Sequence, residues 1–384
     1  MTSSYNHSSV PSEPVSRDNG AGSLAQGMGG LRITSTIGDG NSKHQDSILM
    51  YCSYFTYGKD ASMTRRTFCE SFKVSEIAGK LQQLESSKFL SQGSAATLTE
   101  FLNANDSQQR HLFDEPSNKK KAKATIRGFF EIVKSVKSDN NLIAYALAHL
   151  DGILEDNRAR VQHYIAIMNE FKDSENVIAI LNSFIHQNNI QDTIQRDIAS
   201  HVLAILIAYT NFDKCHKEAR EFLNYLTQQN DVNSLTLSVN AYTFALMTIL
   251  KTNQLAREFS TQHSFGMIAN LLEGPCLESP QVGYNVVCTL WILSYHDYTQ
   301  KFFEDYTLAI IEKVAKIMDF FSWEKIARIM LMLIDNLKDI SACQEHLSDI
   351  DVLNLIFKLQ NRHWVDEDIN KMLESLAEYF ETNQ

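Results

Sequence analysis

The sequence predicts an all-α protein built as a right-handed α-solenoid, and three observations predict it. The first is the stretch Tyr284 to His296, in which Tyr284, Val287, Trp291 and Tyr295 fall at helical spacing on one face. Val286, Leu290 and Leu293 cover a second face, and a helix apolar nearly all round needs neighbours on several sides. The second is recurrence: Ile198 to Tyr209, Ala241 to Leu250 and Lys325 to Leu337 carry the same kind of run. Their closing residues, with Leu293, are Ile207, Leu250 and Leu337, at steps of about 43, 43 and 44 residues. The third is a second series, Tyr225, Ile268, Ile311 and Leu355, which keeps an offset of about 18 residues through the same steps. Steps of this length belong to armadillo/HEAT-like repeats, in which each unit buries its face against the next.

The elements follow in order. Residues 1–47 hold two prolines, many serines and seven of the chain's fifteen glycines. Such a segment cannot bury enough apolar area to offset its ordering entropy, so it is expected to be a disordered tail. Residues 48–384 are expected to form the helical repeat domain, opening with a short aromatic segment, Ile48 to Tyr57. Val74 to Phe89 and Ala95 to Leu112 read as helices, with Leu98, Phe101 and Leu102 inward on the second. Asp114 to Asn118 is a loop, because proline disfavours helix at the residue before it. Lys119 to Lys123 reads as the solvated first turn of a helix that buries Ile126, Phe129, Phe130 and Val133. Leu142 to Glu155, Val161 to Phe171 and Val177 to Ile185 make an early repeat, and the regular array starts at Asp192. Gly274-Pro275 and Ser279-Pro280 punctuate the joint before Tyr284. Leu308 to Phe321, Trp323 to Leu337, Asp351 to Gln360 and Ile369 to Phe380 complete the array.

Composition narrows the partners. A formal net charge of −11 favours neither nucleic acid nor an anionic membrane surface. Six cysteines, from Cys52 to Cys343, show no paired spacing, which suggests reduced thiols. There is no secretory signal and no apolar run long enough for a membrane span, so a cytoplasmic location without membrane insertion is expected.

No catalytic constellation emerges: His-Glu-x-x-His, Gly-x-Ser-x-Gly, P-loop and Cys-x-x-Cys motifs are absent. Cys215-His216 has no second pair at zinc spacing. Asp366-Glu367-Asp368 lacks the glycine turn of a calcium loop, and a helix macrodipole accounts for acids there. The expectation is a protein without catalytic residues, cofactor or metal.

Four stretches resemble a known family. Leu147 to Val161, the Tyr284 to Tyr295 helix with Trp291-Ile292-Leu293, and Lys325-Ile-Ala-Arg328-Ile329 are similar to successive parts of the V-ATPase H subunit. The most specific is the set Leu359, Arg362, Trp364, Asp366, Asp368, Ile369 and Leu373, which stands where that family has a Leu-x-x-Arg-Lys-Trp-x-Asp-Glu-Asp-Ile signature. The resemblance covers roughly Val74 to Gln384 and ends where the family's smaller C-terminal domain would follow. It implies a non-catalytic regulatory component in the soluble sector of the vacuolar proton pump, on the cytosolic face of vacuolar or endomembrane compartments. Its implied partners are the peripheral-stalk subunits E and G, with the membrane-embedded a-subunit and catalytic-sector subunits as further contacts. It further implies a role in coupling ATP hydrolysis to proton transport.

The competing reading is a soluble armadillo adaptor for extended peptides, which would display a ladder of Trp and Asn. Trp323 and Trp364 are out of register with each other, and Trp291 belongs to a packed helix. On the second helical series, the positions turned from the core are Asn224, Gln228, Asn270, Lys313, Lys316, Asn354 and Lys358. This mildly basic, amide-rich strip is the expected partner-binding surface.

Overall fold

The computed structural model describes residue 69 and residues 71–168, 176–187, 193–229, 235–261, 265–320, 323–349 and 352–382. All lie in the compact unit Ser42–Gln384; the other unit, Met1–Asn41, falls outside them. The expected tail and the Ile48 to Tyr57 segment therefore lie outside the described residues.

The described elements are helices, with no strand among them. The described helices begin with α1 (Val74–Ser86), α2 (Ser94–Asn103), α3 (Asp106–Asp114), α4 (Lys119–Ser135) and α5 (Asn140–Asp156). Next come α6 (Val161–Met168), α7 (Val177–Ile185), α8 (Thr193–Tyr209), α9 (His216–Thr227), α10 (Val239–Ile249) and α11 (Asn253–Thr261). Then follow α12 (Phe265–Glu273), α13 (Pro275–Glu278), α14 (Pro280–Ser294) and α15 (Gln300–Phe320). The last are α16 (Glu324–Leu337), α17 (Ser341–Asp349), α18 (Val352–Gln360) and α19 (Glu367–Thr382).

The first apolar series forms the spine of an all-α solenoid. Helix α8 packs on α5 and α10, α10 on α14, α14 on α16, and α16 on α19. Apolar area alone would let such helices slide, but buried polar groups must find partners and so set the register. Polar rungs cross between the spine helices. His201 of α8 contacts Asp151 of α5. Asp197 of α8 accepts the Ser238 backbone N–H at 2.9 Å, at the start of α10. Asn285 of α14 donates to Asn240 Oδ1 and Thr243 Oγ1 of α10, both at 3.2 Å. Asn336 of α16 donates to Ser294 Oγ of α14 at 2.8 Å. The partners of these rungs stand 41 to 50 residues apart, so the polar contacts keep roughly the period of the apolar runs.

Local signals set the helix ends. Asn105 accepts from the Gln108 N–H while Gln108 Oε1 accepts from the Asn105 N–H, both at 2.9 Å. This capping box splits the helix expected over Ala95 to Leu112 into α2 and α3. Asp139, Asn176 and Ser238 cap α5, α7 and α10. Pro275 and Pro280 stand in the first turns of α13 and α14, where a missing N–H costs nothing. Helix α15 begins eight positions before the expected Leu308, because a 3₁₀ turn over Asp297–Thr299 leads straight into it.

Trp291 corrects the reading of α14. Val286, Val287, Leu290 and Leu293 are buried as their spacing predicts, but Trp291 is only partly buried and Tyr295 is 59% exposed. The two rings meet edge to face at 5.4 Å on the open side of α14.

An ion pair at the N-terminal end carries a prediction. Arg160 is 4% exposed and makes two 2.8 Å hydrogen bonds to the carboxylate of Asp114, which lies 46 residues earlier. The Arg160 hydrogen bond holds the Asp114 carboxyl below its ordinary value of 3.8. A depressed carboxyl adds stability above that value and loses it as pH falls through the folded value. Asp114→Asn should cost about 1.5–3 kcal/mol at neutral pH, the range for hydrogen bonds to charged groups. The denaturation midpoints of variant and wild type should draw together as pH falls from 3.8 through the lower folded value.

Candidate partner-binding surface

The strip expected from the sequence falls on α9, α12, α15 and α18, the four helices of the second series. Asn224 is exposed on α9 and Gln228 just past its end, Asn270 on α12, Lys316 on α15, and Asn354 and Lys358 on α18. Lys313 of α15 is half-buried. The structure joins the later members more closely than the earlier ones: α12 packs on α15, whereas α9 packs chiefly on α7 and α11.

The strip is less basic than the sequence suggests. Lys313 Nζ lies 2.7 Å from Glu273 of α12, and Lys358 Nζ lies 2.8 Å from Asp319 of α15. Arg362 reaches the same Asp319 at 2.8 Å. The hydrogen bond from Lys313 lowers the Glu273 carboxyl, and that from Lys358 lowers Asp319. Both acids therefore stay ionised at neutral pH and offset the lysines. The two acids stand 40 and 39 residues before their partners, short of the 43–44 residue step of the apolar series.

Beside Lys313 runs an apolar cleft that periodicity alone does not disclose. It is lined by Phe265, Ala269 and Leu272 of α12 and by Phe302, Tyr306 and Ile310 of α15, and holds about 30 Å³. The Phe265 and Phe302 rings stack at 3.7 Å, and Tyr306 is 49% exposed at the edge. Gly266 also lines it, and the space where a Cβ would stand there is open. The cleft offers what a partner helix needs: a seat for one small apolar side chain and a charged border. A wider cavity of about 540 Å³ is lined from α1 to α3 and α5, with Phe72, Phe101, Tyr145 and Arg160 among its walls.

Several residues weighed in the sequence make structural contacts. Cys215 is buried just before α9, and burial pushes its thiol up to about 11; Cys288 in α14 is pushed to the same value. Asp366 opens α19, where it accepts from the Asp368 N–H at 3.0 Å and from the guanidinium of Arg328 on α16. Trp364 is 6% exposed and donates its indole N–H to the Leu359 carbonyl at 2.8 Å. Leu359, Ile369 and Leu373 are buried beside it. The residues Arg328 and Asp366, drawn from two separate resembling stretches, thus meet in one joint that fixes the last spine helix.

A family model for the H subunit of the V-ATPase matches residues 78–380. The chain belongs to the V-ATPase H-subunit family. No curated protein matches it. The match spans α2 to α18 whole, so the spine and the strip both fall within the region that defines the family. Among the described residues no helix is long and apolar enough to cross a membrane.

Proposed function

We propose that this chain acts as a non-catalytic regulatory and structural component in the soluble sector of the vacuolar proton pump. It binds the peripheral-stalk subunits E and G and supports coupling of ATP hydrolysis to proton transport at the cytosolic face of the vacuolar or endomembrane compartment. The membrane-embedded a-subunit and catalytic-sector subunits are further contacts. The helical domain, residues 48–384, carries the docking surface, and residues 1–47 form a tail. The H-subunit family match over residues 78–380 carries this reading.

The docking surface is the face of α12, α15 and α18, with the Phe265–Tyr306 cleft as its apolar centre. Lys316 and the paired Lys313 border it, and an apolar anchor supplies more affinity than bordering charges, which mainly set register and on-rate. The strip residues Asn224, Gln228, Asn270, Asn354 and Lys358 extend the surface along the repeats. Reversing Lys313 and Lys316 to Glu places like charge against Glu273 and removes the exposed Lys316 ammonium. Each exposed pair contributes about 0–1 kcal/mol, so affinity for an isolated E–G heterodimer should fall about 3–10-fold at low salt. The loss should shrink at high salt, where exposed charges are screened. Unchanged affinity across the salt range would remove this face from the docking surface.

A further inference from the structure

The two described ends of the solenoid differ. At one, α19 turns Glu367, Lys371, Glu374 and Glu378 outward, the kind of polar face that closes a stack of repeats. At the other, the cavity of about 540 Å³ beside α1 is walled by aromatic rings. Phe72 meets Tyr145 of α5 edge to face at 5.2 Å, and Phe101 of α2 meets Phe113 of α3 in the same way at 5.8 Å. Leu102 and Ile153 extend the apolar wall, while the exposed Asp106, Arg110 and Asp156 supply a polar border. Protein interiors are close-packed, so a cavity of this size beside interlocked rings forfeits dispersion contacts unless something fills it. Its walls suit an aromatic occupant with polar tips.

The chain carries such a segment close by. Ile48 to Tyr57 holds four aromatic residues and no charged one, in a sequence of net charge −11. An uncovered run of this kind is an aggregation hazard, so it needs an apolar partner surface. Ile48, Tyr51 and Phe55 fall on one side at helical spacing, with Tyr54 beside them. The described residues start at Cys69, which itself lines the cavity together with Phe72 and Val74. Residues 58–68 span at most about 36–40 Å when extended, so the segment is tethered within reach of the walls. We propose that Ile48 to Tyr57 occupies the cavity of its own chain, with Tyr54 and Phe55 as ring anchors. Tyrosine suits the site because its ring packs on the walls while its hydroxyl meets the polar border. Tethering raises the local concentration of the segment to the order of millimolar, which favours it over a free partner. The segment caps the first repeats, a role separate from the docking face of α12, α15 and α18.

The test uses the full chain and two readouts. Hydrogen exchange should be slower by about tenfold or more in residues 48–57 than in residues 20–40. The Tyr54→Ser, Phe55→Ser variant should lose that protection and exchange faster in α3 and α5, with α16 and α19 unchanged as the check on folding. The second readout replaces Phe55 by the photo-crosslinker p-benzoylphenylalanine. Irradiation should join position 55 to α2, α3 or α5 within one molecule, as mapped by peptide mass spectrometry. Exchange in residues 48–57 as fast as in residues 20–40 would overturn the proposal, as would wild-type exchange of α3 and α5 in the double variant. Crosslinks that join two copies of the chain, or that miss all three helices, would assign the cavity to another occupant and overturn it as well.

Discussion

Phe303→Ala is expected to lower stability by about 3–5 kcal/mol, the range for removing a buried aromatic ring. Phe303 is fully buried on the core side of α15, edge to face with Phe302 at 5.2 Å. Its loss would open a cavity beside the second helical series, and neighbouring repeats could collapse only partly around it. Trp291→Ala on α14 removes a larger ring, yet it should cost only about 1–2 kcal/mol, because a partly exposed side chain has less apolar area to return to water. Spacing alone would assign Trp291 the larger loss, so the order of the two variants separates the structure from the pattern. Denaturant midpoints of the pair, measured beside wild type, check it.

The second large effect is expected at Asn285, which is fully buried in the rung between α10 and α14. Its Nδ2 donates to Asn240 and Thr243, and its Oδ1 accepts from Gln281 Nε2 at 2.9 Å. Asn285→Asp keeps the shape but replaces a donor by a charged acceptor facing Asn240 Oδ1. The cost should be about 3–5 kcal/mol, as for an uncompensated buried charge. Asn285→Ala loses the bonds without burying a charge and should cost about 1–3 kcal/mol. Acidification should recover part of the loss in Asn285→Asp, since the protonated acid regains a donor, and none in Asn285→Ala. Thermal melts at two pH values distinguish the variants.

Much of the fold was legible because its strongest signal is periodic. Ile207, Leu250, Leu293 and Leu337 mark the ends of consecutive spine helices, and the spine packs in that order. Features that depend on the geometry between repeats were less legible. Which side of α14 stays open is decided by the neighbours α10 and α16, so Trp291 and Leu290 look alike in sequence and differ in burial. The strip residues fall on or next to the helices of the second series, but the pairing of Lys313 with Glu273 and of Lys358 with Asp319 crosses a repeat boundary and changes the strip's charge. The Phe265–Tyr306 cleft needs two helices to exist, and its aromatics read singly as core. Asp151 and His201 were likewise invisible as a pair, because they meet across two spine helices. The Asn-x-x-Gln box at Asn105 was readable locally and was masked by the apolar run on either side.

The assignment to the proton pump is tested most directly by purifying the tagged chain from its source under native conditions and quantifying what stays bound. The account predicts V-ATPase soluble-sector subunits in near-equal amounts with the chain, E and G among them. It also predicts that the Lys313→Glu, Lys316→Glu variant retains less of E and G at low salt. Recovery of the chain without E and G, or with an unrelated set of partners in fixed proportion, would contradict the account.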